Sequence, residues 1–129
     1  MQEKNLFEYA VIRVVPKVER EEFLNVGVVV YCAKQKFLEV MFKLDENRLQ
    51  AFCGNCDIIE IDKYLRSFER ICKGGADAGP IGKLPLAERF RWLTATRSTV
   101  VQTSKVHSGL SADIPGMLTR LYGQLVLME

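Results

Sequence analysis

The sequence predicts a single α+β domain over residues 1–129: a mainly antiparallel sheet of about four strands, with helices packed on one face, in the order β-β-β-α-α-α-β-α. Three observations carry this. Two β-branched runs, YAVIRVV and VGVVVYC, lie close together early in the chain. A third run alternates apolar and polar residues with period two, and most apolar positions after it fall at helical steps of three and four.

Tyr9 to Val15 is apolar except for Arg13 and is closed by Pro16, as a buried strand ends. Lys17 to Glu22 is a charged connection, too long for a tight hairpin. Val26 to Cys32 is the second strand, where Gly27 marks a bulge or a close backbone approach. Phe37 to Leu44 sets Leu38, Val40, Phe42 and Leu44 against Glu39, Met41 and Lys43, the pattern of a half-exposed third strand. Asp45 caps a short helix ending at Gly54, because its carboxylate can accept from an unpaired amide of the first turn. Asp57 opens a longer helix whose core face is Ile58, Ile61, Leu65, Phe68 and Cys72, and Gly74-Gly75 stops it. Residues 74–85 form a Gly- and Pro-rich loop. Leu86 to Ala95 is a short helix that buries Phe90 and Trp92 or Leu93, and Ser98 to Gln102 is the fourth strand. A long loop then runs to Asp113, which starts a terminal amphipathic helix with Pro115 in its first turn.

Composition excludes several classes. Eighteen basic against sixteen acidic residues leave a net charge of +2, so broad nucleic-acid binding is not expected. No stretch approaches the roughly 18 consecutive apolar residues of a membrane span. The opening MQEKNLFEY is acidic and polar, which argues against a secretory leader and for a cytoplasmic protein with reduced thiols. Cys53-Gly54-Asn55-Cys56 has the spacing of a redox or zinc half-site, but its place at a helix C-terminus beside Asp57 works against a reactive thiolate. Cys32, Cys72 and His107 add no recognisable ligand spacing, so neither a metal nor a cofactor is expected.

Polar exceptions mark the candidate site. Arg13 interrupts a buried strand and demands a partner, for which Glu22 and Glu39 are placed. Arg20, Glu22 and Asn25 cluster before the second strand. Lys83, Arg89, Arg91, Arg97 and Lys105 gather most of the excess positive charge, and Arg97-Ser98-Thr99 offers a guanidinium, two hydroxyls and backbone amides to an anion. His107, the one histidine, falls in a polar loop before Gly109. The ligand-binding set is therefore Arg13, Arg20, Asn25, Arg97, Ser98 and His107, or else these residues staple the fold. No G-x-S-x-G elbow or phosphate-binding glycine loop accompanies them.

The stretch from Tyr9 to Tyr31, of the form Y-x-V-x-R-x-V-P…R-x-E-F-x-N-V-G-V-V-V, and the stretch RFRWLTATRSTVVQTSKVHSG resemble the bacterial domain-of-unknown-function family DUF3037. The matching residues are Arg13, Pro16, Arg20, Glu22, Asn25, Gly27, Arg97-Ser98-Thr99 and His107-x-Gly109; Thr96 departs from the pattern where proline is expected. The Cys-x-x-Cys lies outside it. The resemblance implies no assigned activity, and it implies a protein partner, since such chains are sometimes encoded beside a kinase-like protein. The expectation is a non-enzymatic module that recognises an anionic ligand or a protein partner. Its rival is an enzyme acting on a phosphate-containing substrate, with His107 as general acid or base and Glu22 orienting it.

Overall fold

A computed structural model describes residues 3–97 and 99–127. Five strands form one antiparallel sheet: β1 (Asn5–Val14), β2 (Leu24–Cys32), β3 (Phe37–Phe42), β4 (Val101–Thr103) and β5 (His107–Ser111). The helices are α1 (Glu46–Phe52), α2 (Ile58–Lys73), α3 (Leu86–Thr94) and α4 (Ile114–Leu125), with short 3-10 turns at Val18–Arg20, Ala76–Ala78 and Pro80–Lys83. The α+β class and the order of elements stand as read, with one strand added.

β1 is the centre. It pairs with β2 on one side and, on the other, with β4 through Ile12–Val14 and with β5 through Asn5–Tyr9. That second partner explains why β1 begins four residues before the apolar run: the Asn5–Glu8 backbone finds its hydrogen bonds in β5. A loop is expected from sequence where β5 lies, because HSGLS carries no β-branched residue and one large apolar side chain. Gly109 fits β5 against Phe7, whose ring would stand 2.8 Å from a Cβ at that position. Between β4 and β5, the Ser104 hydroxyl accepts from the Val11 amide at 2.8 Å and donates to the Lys105 carbonyl at 2.9 Å, so this buried side chain is satisfied.

A bulge or a close backbone approach is expected at Gly27, and both occur there. Register shifts between Ile12 and Arg13, which face Gly27 and Asn25, leaving Val26 as the extra residue. A Cβ at Gly27 would meet the Met41 carbonyl and the Phe42 Cβ, each at 2.8 Å.

Period two divides the sheet into two apolar faces. Ala10, Ile12, Val14, Val29 and Tyr31 meet Leu49 of α1, Ile61, Leu65, Phe68 and Cys72 of α2, and Phe90 and Leu93 of α3. Phe7, Val28, Val30 and Cys32 meet Ile114, Leu118 and Tyr122 of α4. The helices therefore cover both faces rather than one: continuous β-branched runs in β1 and β2 give both sides of the strand an apolar surface, and α4 covers the second. The caps follow the sequence. Asp45, Asp57 and Asp113 accept from the amides of Arg48, Glu60 and Gly116 at 3.0 to 3.1 Å. Within α3, Phe90 and Leu93 are buried and Trp92 is exposed.

Candidate functional site

Arg13 lies on the α4 side of the sheet, flanked by Asn25 on β2 and Gln102 on β4. Its guanidinium sits 3.9 Å from the centre of the Phe23 ring, while its buried Nε has no hydrogen-bond partner among the described residues. Glu22, one of its expected partners, is held by Arg20 instead, in an exposed ion pair. Asn25 Nδ2 donates to the Leu125 carbonyl at 3.2 Å and ties the start of β2 to the end of α4; its Oδ1 is buried without a partner among the described residues.

The other sequence-predicted residues are dispersed. Arg20 and Glu22 line an open groove of about 470 Å³ with Lys17, Phe52, Cys53 and Asn55. Arg97 lies 4.8 Å over the Trp92 ring and donates to the Trp92 carbonyl, on the α2–α3 side of the molecule, where it borders a small cavity with Tyr64 and Phe68. Ser98 falls outside the described residues. Thr99 donates to the Val101 carbonyl at 2.7 Å, so the hydroxyl offered to an anion in the Arg-Ser-Thr motif is used within its own turn. His107 opens β5 as an exposed side chain whose ring packs 5.3 Å from that of Tyr9. The structure thus brings Arg13 and Asn25 together and places His107 on the same face, four residues along β1, or about 13 Å at 3.3 Å per residue. Arg97 is on the other face.

His107 and Glu22 are also far apart. His107 is level with Tyr9, whereas Glu22 precedes the residue pair Leu24–Val14 at the far end of β1, about 17 Å along the strand. A base and its orienting carboxylate need hydrogen-bond contact, so these two cannot act as a pair in this arrangement.

Of the basic cluster, Arg89 is a staple. It donates to the carbonyls of Leu84, Ile71 and Cys72 at 2.9 to 3.0 Å, closing the end of α2 against α3. Beside it, burial pushes the Cys72 thiol up to about 12, leaving a neutral core side chain. Cys53 and Cys56 are joined as a disulfide rather than being the free thiols expected from sequence: Cys53 caps the end of α1, and the Gly54-Asn55 turn brings the two Cα atoms to 5.6 Å. No group of three or more His, Cys, Asp or Glu side chains that could hold a metal occurs among the described residues, and no described helix is long and apolar enough to cross a membrane.

A second location was not singled out in the sequence. An open groove of about 630 Å³ runs beside β3, which among the described residues is an edge strand paired only with β2. Its floor is Val40 and Phe42, and its wall is the stripe Ile58, Asp62, Arg66 and Glu69 of α2, with Glu46 at one end and Tyr122 reaching in from α4. Arg66 lies over Phe42 at 5.4 Å, and its guanidinium is 3.6 Å from Asp62 and 4.0 Å from Glu69. The signal for this groove was present: Asp62, Arg66 and Glu69 repeat at steps of four and three beside the core stripe of α2.

A family model described as a protein of unknown function, DUF3037, matches residues 9–126. No curated protein and no solved structure matches the chain.

Proposed function

This chain belongs to the DUF3037 family, and we propose that it is a non-catalytic module that binds a protein partner. The observation that carries this reading is the separation of the chemical groups. His107 and Glu22 lie at opposite ends of the β1 contacts. Among the described residues, Arg20 and Arg97 each make one bond within the chain, and Arg89 makes three. Catalysis needs a nucleophile or base, its orienter and a charge stabiliser in one place, and here they are spread over both faces of a sheet. What remains available is recognition surface: an unpaired strand edge, a groove with charged walls, and exposed apolar side chains such as Leu6, Ile59 and Leu110. A kinase-like protein, the neighbour that the resemblance implies, is the first partner to try.

The rival reading keeps a small anion on the Arg13–His107 face, and one observation favours it: the unpartnered Arg13 Nε on the same side as exposed His107. Two measurements decide between them. Thermal unfolding in a titration of inorganic phosphate, citrate and nucleotides is expected to show no saturable stabilisation, and co-expression with the kinase-like neighbour is expected to yield a stoichiometric complex. A saturable anion-dependent rise in Tm that Arg13→Ala and His107→Ala both remove overturns the partner reading.

A further inference from the structure

The outer edge of β3 is an unusually clean one. Natural edge strands are blunted by proline, bulges or short length, because unpaired amides and carbonyls recruit other strands. β3 runs six residues, pairs with β2 in unbroken register, and contains neither a proline nor a bulge. The Lys43 amide donates inward to the Val26 carbonyl at 2.8 Å. Since N–H and C=O directions alternate along a strand, Met41 and Glu39 also point to β2, and Phe42, Val40 and Leu38 turn their backbone groups outward. That outward row faces the groove whose floor is Val40 and Phe42.

The groove has a sign. Glu46, Asp62 and Glu69 stand against the single guanidinium of Arg66. It also has an apolar lip in Ile59, which is 72% exposed, the most of any large apolar side chain described. A second copy of the same chain added edge to edge would set one acidic wall against another, whereas a basic strand would not.

We propose that this edge takes an extended basic segment of the partner as an additional strand, with apolar side chains at alternate positions over Val40, Phe42 and Ile59 and lysine or arginine reaching Asp62 and Glu69. Main-chain pairing would supply affinity, and the alternation would supply specificity. This rests on the partner-binding reading and assigns it a surface.

The probe is a pool of eight-residue peptides in which lysine or arginine alternates with valine, isoleucine or tyrosine, followed by fluorescence anisotropy and by hydrogen exchange at single amides. Saturable binding is expected, with slowed exchange of the Val40 and Phe42 amides and weakening of about tenfold or more in the Asp62→Asn/Glu69→Gln double variant. N-methylated peptides and peptides with glutamate in place of the basic residues are expected not to bind. Absence of binding by the basic pool, or binding that survives both N-methylation and the double variant, overturns the proposal; so does self-association of the chain that protects the Val40 amide. The substitutions lie on exposed or half-exposed positions, and Ile59→Asp serves as a second, independent probe of the same surface. A complex with a whole partner protein that is indifferent to Ile59→Asp overturns the groove and leaves the partner-binding reading standing.

Discussion

Arg13 and Arg66 are both laid over phenylalanine rings, at 3.9 and 5.4 Å, yet they sit in opposite settings. Arg13 is in the middle of the sheet with strands on both sides, and its Nε is buried without a partner. Arg66 stands on a helix beside an open edge, its side chain 56% exposed between two carboxylates. A guanidinium inside a sheet is committed to the fold, since its stem and ring contact cannot be rearranged without moving strands. One on an edge stripe is held by weak, screened pairs that a ligand can replace at little cost. Arg13 is thus embedded among strands, and Arg66 stands on the surface proposed above for recognition.

The harshest way to break the contrast is to disturb what both regions share. Gly27→Val puts side-chain atoms against the Met41 carbonyl and Phe42 Cβ, beneath the groove and beside the Arg13 bulge at once. A loss of about 3 kcal/mol in urea unfolding is expected. Asn25→Ala acts on the Arg13 end alone. It removes the bond to Leu125 and is expected to cost about 1–3 kcal/mol, with the end of α4 exchanging amide protons faster. Arg13→Met separates charge from packing. It keeps a stem against Phe23 and removes the unpartnered buried Nε, so a change within about 1 kcal/mol is expected, since the lost cation–π contact is of that order. A loss several times larger would show that the charge itself is stabilising. Arg66→Ala should shift stability by no more than about 1 kcal/mol, because its ion pairs at 3.6 and 4.0 Å join an exposed guanidinium to half-exposed carboxylates.

The last lever leaves both arginines untouched. Burial raises the Cys72 thiol from an ordinary value of 9 to about 12, and burial also raises Tyr122. A raised folded-state value means the neutral form is favoured in the fold: the contribution is complete below the unfolded-state value and is lost as pH rises. Tm is therefore expected to be flat with respect to these two groups at neutral pH and to fall between pH 9 and 12. Alkylation of Cys72 by iodoacetamide at pH 8 should follow global unfolding rather than local thiol chemistry.

Most of the fold was legible in the sequence, because strands of β-branched residues and helices with capping aspartates announce themselves locally. β5 was not, since His107–Ser111 gains its strand character from β1 and not from its own residues. The covering of both faces was half visible: an apolar run without alternation, as in Val28–Cys32, already requires a second layer, but which helix supplies it depends on chain path. The candidate site was less legible. The irregularity at Gly27 and the ion pair between Arg20 and Glu22 were legible in their segments, whereas the level pairing of Arg13 with Asn25 and the loss of Arg97 to Trp92 depend on register and local packing that no spacing rule signals. The acidic wall of the β3 groove needed the strand and the helix side by side before its charges added up.

The central place of β1 has a consequence for the birth of the chain. Val11 and Ser104, bonded in the finished sheet, are 93 residues apart in sequence, and β4 and β5 both follow every helix but one. During synthesis from the N-terminus, β1, β2 and β3 are complete long before the strands that close the other flank of β1. For that interval the run Ala10–Val14, apolar but for Arg13, is itself an open edge. Long-range closure of this kind is slow, and a ribosome stalled or a chain cut before residue 101 leaves a three-strand meander with a largely apolar strand on the outside.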